Sequence, residues 1–335
     1  MEFIKPPKLI LGKSTVGLIA PSGVVDEKGL KEGIEIIKEW GFAVKLGKNV
    51  LVKQKDFSAG AEQKRMNDLM AMVRDKEVGA VGCIVGGYAA TEIIKYFTPA
   101  LCQEIISNPK IFFGYSDFSL ILNILFKESV VSFHAPNAGG LYQRSLDTQK
   151  SLRLALLGEG PGEIGPWFDW KVIRYGMAEG KLLVSNLEVL INLLGTVFDP
   201  LDSNEAIILA LEDVGVNKSV LSRWLHQLAA HRRVDKIKGI VLGRFTKIGE
   251  KDYPVWGEEI GVEQIFEEVF GRRGIPIASW PEFGHIEEKK LNISFLSKKR
   301  ARERVNFWTL PSGVEVVFSV DKEACRLRFL EKPLL

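Results

Sequence analysis

Short apolar runs alternate with amphipathic stretches through the first half of the chain. The first run, at 15–20, ends at Pro21, Ser22 and Gly23, and apolar residues then recur at helical spacing as far as Gly41. The same alternation predicts strands at 43–46, 80–85, 110–113 and 130–133, and helices at 62–73, 91–97, 100–106 and 118–126. This order predicts βαβ units around a mostly parallel sheet, in which ligands bind at the carboxyl ends of the strands.

The second half of the chain has a more mixed pattern. It predicts helices at 186–194, 220–230 and 262–270, and strands at 206–211, 239–242 and 276–279. The last apolar runs, at 305–309, 314–320 and 325–330, predict three further strands. The first two flank the turn residues Pro311, Ser312 and Gly313, so we expect a hairpin there.

The length of the chain and one stretch rich in Gly and Pro indicate that these two patterns belong to two domains. A chain of 335 residues exceeds what one hydrophobic core usually holds, about 250–300 residues. The stretch 158–166 is the densest in Gly and Pro, which is typical of a linker. We therefore expect an α/β protein with a Rossmann/flavodoxin-like N-terminal domain at 1–157, a linker at 158–178 and a smaller mixed α/β C-terminal domain at 179–335.

Charge and cysteine content exclude several classes of partner. Lys and Arg number 45 against 42 Asp and Glu, a net charge of +3 that lacks the single-sign field of a nucleic-acid-binding protein. Cys83, Cys102 and Cys325 are too widely separated for a disulfide framework or a Cys metal site. No run approaches the ~20 apolar residues of a membrane span. These features predict a cytoplasmic protein without metal, cofactor, nucleic-acid partner or membrane partner.

Ser116 occupies a position suited to nucleophilic chemistry. The sequence Gly114-Tyr115-Ser116-Asp117 lies between a predicted strand and an apolar helix, the context in which a nucleophile elbow exposes a serine. Phe118 stands where an α/β-hydrolase would have glycine, so that fold is not indicated. A simpler interpretation is that Ser116 or Asp117 caps the helix.

Gly86 and Gly87 also follow a predicted strand, and two interpretations remain open for them. The pair either forms a tight turn that needs positive φ, or points backbone N–H groups at a ligand that a Cβ atom would block. They do not complete a dinucleotide-binding Gly-x-Gly-x-x-Gly motif.

A Ser nucleophile needs a base and a group that orients the base. His285 lies in a Pro- and Gly-containing loop after a strand, where catalytic side chains often occur. Glu212 and Asp213 end another apolar strand, where a carboxylate either orients an imidazole or caps a turn. His134 also ends a strand and either lines a cleft or is buried. Trp167 and Trp170 either pack or offer an aromatic platform.

These blocks resemble the LD-carboxypeptidase family of serine peptidases, which also contains the microcin C immunity peptidases. The resemblance covers nearly the whole chain and includes Ala20-Pro21-Ser22, Gly86-Gly87-Tyr88, Asn108 to Asp117, Asn186-Leu187, Leu211-Glu212-Asp213, Gly243-Arg244-Phe245, Gly284-His285 and Leu310 to Gly313. It implies an N-terminal nucleophile domain, a C-terminal domain that supplies Glu and His, a homodimer and no metal.

Carried over by position, the resemblance makes Ser116 the nucleophile, His285 the general base and Glu212 the residue that orients it. Backbone N–H groups of Asp117 and Gly87 would form the oxyanion hole. Gly86, Tyr88 and Tyr115 are the implied substrate contacts.

The implied reaction is hydrolysis of the amide to a C-terminal D-amino acid in murein tetrapeptides. The alternative is cleavage of an aminoacyl-nucleotide amide, as in the microcin-immunity branch, which the Val85-Gly86-Gly87 form and the Asn108-Pro109-Lys110 lead-in resemble more closely. Basic residues concentrate at 289–304, and this segment is either a solvated face or a rim that attracts anions.

Overall fold

The computed structural model describes residues 2–53, 57–160, 162–249, 260–286 and 306–335. They divide into two compact units, and the chain passes between the two units four times. The first unit comprises Met1–Gly160, Asn292–Gly313 and Lys332–Leu335, and the smaller second unit comprises Pro161–Leu291 and Val314–Glu331. The basic residues between 289 and 304 lie outside the described residues.

The first unit contains a six-stranded sheet. Its strands are β1 (Thr15–Ile19), β2 (Ala43–Leu46), β3 (Val78–Cys83), β4 (Ile111–Gly114), β5 (Ser132–His134) and β12 (Leu310–Ser312). The strand order is β12-β5-β4-β3-β1-β2, and every pairing except β12 with β5 is parallel. The order 2-1-3-4-5 is that of the flavodoxin-like fold, which confirms the predicted architecture.

Helices follow the strands of this sheet, and the apolar periodicity predicted all of them except the last. They are α1 (Glu27–Glu39), α2 (Glu62–Arg74), α3 (Pro99–Ser107), α4 (Ser119–Lys127) and α5 (Leu146–Leu156). The helix predicted at 91–97 is a 3₁₀ helix, Ala90–Tyr96. The α4 helix is mostly apolar and is almost completely buried, whereas α1 buries one face through Leu30 and Ile37.

The predicted hairpin around Gly313 is wrong. β12 begins at Leu310 and pairs antiparallel with β5 in the first sheet. The following strand, β13 (Glu315–Val320), pairs with strands of the other sheet. Gly313 has φ +93 and lies between the two, so the turn residues redirect the chain from one sheet to the other. A turn signal specifies a change of direction, but it does not specify which strands pair on either side.

The second unit contains an eight-stranded mixed sheet. In addition to β13, its strands are β6 (Glu163–Ile164), β7 (Lys171–Arg174), β8 (Gly176–Asn186), β9 (Ile207–Val214), β10 (Ile237–Thr246), β11 (Ile277–Ser279) and β14 (Cys325–Phe329). The order is β6-β14-β13-β8-β9-β10-β11-β7, with β8 to β11 parallel. The segment 158–178, expected to be a linker, therefore supplies both edge strands of this sheet.

Three helices belong to this unit: α6 (Leu187–Leu193), α7 (Lys218–Ala229) and α8 (Val262–Phe270). The sequence pattern indicated all three but missed β8 and, in the first unit, α5. Gly176, Glu179 and Gly180 interrupt the apolar run of β8, and its exposed first half is held by pairing with β13. Among the described residues, no helix has the length and apolar character needed to cross a membrane.

Candidate active site

The loops after β1 and β3 meet at the point where the strand order of the first sheet reverses. In open α/β sheets, this reversal opens the crevice in which ligands bind. Gly23, after β1, donates its N–H to the carbonyl oxygen of Gly86, after β3, at 2.9 Å. Ser116 follows β4, the neighbour of β3. The topology therefore brings both glycine-rich turns and the candidate nucleophile to one edge of the sheet.

Ser116 adopts a left-handed backbone conformation with φ +63. A residue other than glycine rarely occupies this region, and the strain amounts to roughly 1–3 kcal/mol. A strained serine between a strand and a helix is the arrangement of a nucleophile elbow. It differs from an ordinary helix cap, since the capping position of α4 is Phe118.

The turn at Gly86 and Gly87 lies against this serine. A Cβ atom on Gly86 would be 2.8 Å from both Cβ and Oγ of Ser116, and one on Gly87 would be 2.7 Å from Oγ of Ser22. Gly87 also has φ +142. Gly87 therefore has the positive φ of the tight-turn interpretation, and Gly86 needs to be glycine because it lies close to Ser116. The interpretation in which their N–H groups point at a ligand stays a prediction.

A buried polar network holds the three loops of this edge. The Asp117 carboxylate accepts hydrogen bonds from the Ser22 hydroxyl and from the Ala90 N–H, the latter at 2.8 Å. The Ser22 hydroxyl oxygen in turn accepts the Ala89 N–H at 3.1 Å. Burial raises the pKa of Asp117, although these hydrogen bonds act in the opposite direction.

Arg65, on α2, binds the loops after β1 and β3 and the segment that precedes its own helix. Its side chain is 1% exposed and donates to the carbonyl oxygens of Gly60, Pro21 and Ala89 at 3.2, 2.6 and 2.8 Å. The guanidinium also pairs with Glu92. One buried cation thus donates to carbonyl oxygens from three segments of the chain.

In the second unit, Glu212 and His285 form a close pair. Glu212 Oε2 lies 2.6 Å from His285 Nδ1 and accepts the His285 backbone N–H at 3.0 Å. Glu212 is fully buried at the carboxyl end of β9. Gly284, with φ +94, lets the loop approach, because a Cβ there would lie 2.5 Å from Cβ of Glu212. A carboxylate on Nδ1 favours the tautomer in which Nε2 can accept a proton.

Asn186 links the two adjacent acids at the end of β9. Its Nδ2 lies 3.3 Å from both Glu212 Oε1 and Asp213 Oδ1. Asp213 also accepts the N–H groups of Glu188 and Val214 at 3.0 and 2.7 Å. Burial and, next, the charge of Glu212 raise the pKa of Asp213 to about 7. Glu212 therefore lies against the imidazole, while Asp213 accepts N–H groups from the first turn of α6 and from Val214.

The other residues singled out in the sequence have varied environments. Tyr88 is 78% exposed. Tyr115 is buried, packs edge-on against Phe307 with ring centroids 4.9 Å apart, and accepts a hydrogen bond from Arg144 at 3.2 Å. His134 is fully buried beside Tyr115.

The two tryptophans near the start of the second unit also differ. Trp170 stacks on Trp280 with ring centroids 5.7 Å apart, and it belongs to an aromatic cluster. Trp167 is 70% exposed.

A cavity of about 580 Å³ in the second unit lies at the carboxyl ends of β10 and β11. Its lining includes Asp169, Lys171, Arg244, Thr246, Glu263 and Ser279. The Arg244 N–H donates to the Phe283 carbonyl oxygen at 3.0 Å, which ties the cavity wall to the loop that carries His285. Across the described ranges, no group of three or more His, Cys, Asp or Glu side chains is arranged to hold a metal ion.

Sequence reasoning assigned no role to Ser22, Arg65 or Asn186. Ser22 and Asn186 were noted only as parts of short blocks after strands. Arg65 was not noted, because the local sequence of a helix does not distinguish a buried arginine from an exposed one. Their partners come from distant parts of the chain, so only the fold identifies them.

Comparisons with known proteins agree with this architecture. Residues 16–135 match the model of the LD-carboxypeptidase N-terminal domain, and residues 179–294 match that of the C-terminal domain. A probable murein peptide carboxypeptidase of Bacillus subtilis is 30% identical over 83% of this chain and 86% of its own length. The microcin C7 self-immunity protein MccF of Escherichia coli is 24% identical over 91% of this chain and 89% of its own.

Solved structures give the same fold. The muramoyltetrapeptide carboxypeptidase of Oxalobacter formigenes has a TM-score of 0.77 at 22% identity, with 96% of this chain and 100% of that chain covered. MccF in complex with glutamyl sulfamoyl guanosine has a TM-score of 0.80 at 19% identity, covering 99% of each chain. With two family models that together match more than half of its residues, the chain belongs to the LD-carboxypeptidase family and is a serine-type hydrolase of the carboxypeptidase class.

Proposed function

We propose that this enzyme removes the C-terminal D-amino acid from murein tetrapeptides by hydrolysing the amide between an L-centre and that residue. The observation that carries the proposal is the strained backbone of Ser116 at the carboxyl edge of a parallel sheet. The Glu212–His285 pair supplies the second requirement, an oriented base. The proposal assigns Ser116 as nucleophile, His285 as general base and Glu212 as the group that orients the imidazole.

The reaction follows from these roles. His285 Nε2 takes the hydroxyl proton as Ser116 Oγ attacks the amide carbon, and Glu212 stabilises the imidazolium that forms. The tetrahedral intermediate breaks its C–N bond, and the imidazolium gives its proton to the leaving amine of the D-amino acid. Water, deprotonated by the same imidazole, then hydrolyses the acyl-enzyme and releases the shortened peptide.

The N–H groups of Asp117 and Gly87 are the proposed oxyanion donors. Ser116 Oγ lies beside the turn that contains Gly86 and Gly87, as the close approach at Gly86 indicates. Donors fixed by a backbone stabilise the developing negative charge without reorganising, and loss of one such donor costs about 100–1,000-fold in turnover.

Arg244 is the proposed partner of the substrate's terminal carboxylate. A guanidinium pairs with a carboxylate through two parallel hydrogen bonds, which distinguishes it from an ammonium group. Arg244 lines the cavity of the second unit, and its backbone is tied to the His285 loop. The substrate contacts assigned to Gly86, Tyr88 and Tyr115 remain parts of the same proposal.

The decisive experiment measures release of D-alanine from L-Ala-D-Glu-diaminopimelate-D-Ala. The intact protein is compared with Ser116→Ala, each with and without EDTA. We expect release that survives EDTA and disappears in the Ser116→Ala protein. Absence of release from the folded parent protein would refute this substrate.

An aminoacyl-nucleotide amide is the second candidate substrate, and the exposed Trp167 favours testing it because a nucleobase stacks on an accessible aromatic ring. Hydrolysis of glutamyl sulfamoyl adenosine, reduced in Trp167→Ala, would support this alternative. Unchanged hydrolysis in that variant would refute the stacking role.

The proposal also includes a cytoplasmic homodimer, as the family resemblance implies. Sedimentation equilibrium should then give about twice the chain mass of 37.4 kDa. A mass equal to one chain would refute the dimer.

A further inference from the structure

The Asp117 side chain has no part in the reaction as proposed, in which only its backbone N–H takes part. It is nevertheless a buried carboxylate, 7% exposed, one residue after the nucleophile. Buried carboxylates are costly unless their oxygens receive hydrogen bonds. The hydrogen bonds that Asp117 accepts offset this cost.

All of its described partners belong to the two turns that flank the nucleophile. The Ala90 N–H, just after the Gly86–Gly87 turn, donates to Oδ2 at 2.8 Å. The Ser22 hydroxyl, in the turn after β1, donates to the same oxygen and accepts the Ala89 N–H at 3.1 Å. The carboxylate thus joins three loops that come from positions far apart in the sequence.

The Gly86–Gly87 turn packs closely against Ser116. With a Cβ on Gly86 only 2.8 Å from Ser116 Oγ, the backbone already touches the nucleophile. A shift of a few tenths of an ångström in this turn changes where its N–H groups point. Oxyanion stabilisation depends on donors held about 2.7–3.1 Å from the position of the charge, so such a shift weakens catalysis more than binding.

We infer that Asp117 is a positioning residue that fixes the Gly86–Gly87 turn against Ser116 through Ser22, Ala89 and Ala90, and so presets the oxyanion-binding geometry. This inference rests on the proposed serine mechanism but not on the identity of the substrate. It predicts that loss of the carboxylate lowers kcat while KM stays nearly constant. A purely structural role would reduce the folded fraction instead and leave the kcat of the folded molecules unchanged.

The test compares Asp117→Ala, Asp117→Asn and Ser22→Ala. We expect kcat to fall about 100–1,000-fold in Asp117→Ala, the loss typical of an oxyanion donor. In Asp117→Asn, an oxygen acceptor remains without its charge, so kcat should recover to within about tenfold of the parent, the equivalent of one weakened hydrogen bond. Ser22→Ala should lower kcat by a similar factor of about ten.

Asp68→Asn is the matched control. Asp68 is also a buried aspartate of the first unit, 4% exposed, and it binds the backbone N–H and the side-chain amide of Asn49 at 2.9 and 2.8 Å. None of the contacts described for it reaches the Ser116 loops. We expect the kcat of Asp68→Asn to stay within about twofold of the parent, because a substitution that shares no contact partners with the Ser116 loops has little effect on them.

A second readout separates this inference from the proposed substrate. The rate at which a fluorophosphonate modifies Ser116 reports the nucleophile and its oxyanion donors without any peptide. This rate should fall in the same order as kcat, with circular dichroism confirming that each variant is folded.

Each outcome decides the question. If the tetrapeptide is not cleaved but the probe reacts, the substrate fails and the probe rates still test Asp117. Equal rates in the parent and Asp117→Ala, or a loss expressed only in KM, would overturn the inference. If Asp117→Ala does not fold, parent-like rates in both Asp117→Asn and Ser22→Ala would overturn it. If the parent protein reacts with neither compound, the serine mechanism and this inference fail together.

Discussion

The Cα atom of Gly86 lies against the side chain of Ser116. A Cβ atom at position 86 would be 2.8 Å from both Cβ and Oγ of the serine. Gly86 is not among the residues with positive φ, whereas Gly87 is. Glycine is therefore needed at position 86 because of its neighbour and not because of its own backbone angle.

Gly86→Ala should consequently reduce activity more than stability. The added methyl group must displace Ser116 from its position, which costs about 1–3 kcal/mol if the loop yields, and misplaces the nucleophile. We expect kcat to fall at least about 100-fold. Gly160→Ala is the control, because a Cβ there meets nothing within 4 Å in the described part of the chain. Equal kcat values for the two variants would contradict the prediction.

Glu212→Gln should preserve the shape of the Glu212–His285 pair but lose its function. The carboxylate Oε2 accepts both N–H groups of His285, whereas an amide nitrogen at this position would favour a proton on Nε2 and remove the base. We expect kcat to fall about 10³–10⁴-fold with little change in KM. Steady-state kinetics measure kcat and KM for this variant and for the control Glu35→Gln, which removes an exposed ion pair between Glu35 and Lys38. Retention of kcat within about threefold of the parent would exclude an orienting role for Glu212, because a threefold change corresponds to less than about 1 kcal/mol of activation free energy.

Arg244→Ala should act on binding if Arg244 holds the terminal carboxylate. Loss of a charge-assisted pair should raise KM about tenfold or more, and Arg244→Lys should restore only part of it because an ammonium cannot form the paired geometry. Substrate saturation curves with a tetrapeptide and with its C-terminal amide separate the two effects. An equal KM change for the acid and the amide would contradict the assignment.

Asp213 should make the protein less stable as pH rises from about 4 to about 7. Its folded-state pKa of about 7 lies above that of an exposed aspartate, about 3.9, so the folded protein binds more protons than the unfolded chain between these values. The contribution of this carboxyl to the free energy of unfolding is therefore lost progressively from about pH 4 to about pH 7.

In Asp213→Asn, this decline should disappear. The unfolding free energy of the variant minus that of the parent should increase between pH 4.5 and pH 8, by at most about 4 kcal/mol. Urea unfolding at several pH values measures it. Parallel pH profiles for the two proteins would show that Asp213 ionises normally.

Arg65→Ala should strongly destabilise the first unit. The buried guanidinium donates to three carbonyl oxygens and pairs with Glu92, and its removal takes a hydrogen-bond donor from all four groups at a cost of about 3–5 kcal/mol. Arg74→Ala, on the same helix, breaks an exposed pair with Glu104 and should cost less than about 1 kcal/mol. Similar urea midpoints for both variants would contradict the burial argument.

The periodicity of the chain predicted most of the first sheet, because βαβ units produce regular alternation of buried strands and amphipathic helices. Prediction failed where neighbours matter more than local pattern. β8 was missed because its exposed half is stabilised by β13, and the supposed hairpin at Gly313 instead passes from one sheet to the other. Pairing partners far apart in sequence leave no local signal.

The sequence by itself determined the chemistry available: a serine between strand and helix, an acid at a strand end, a histidine in a rigid loop, and two glycines after β3. The tertiary structure decided which of these groups meet. It put Glu212 on Nδ1 of His285, gave Asp213 a capping role, and used Ser22 and Arg65 to fasten the loops around Ser116. Hydrogen bonds and burial depend on distances in space, so residues alike in sequence acquire different roles only when the chain folds.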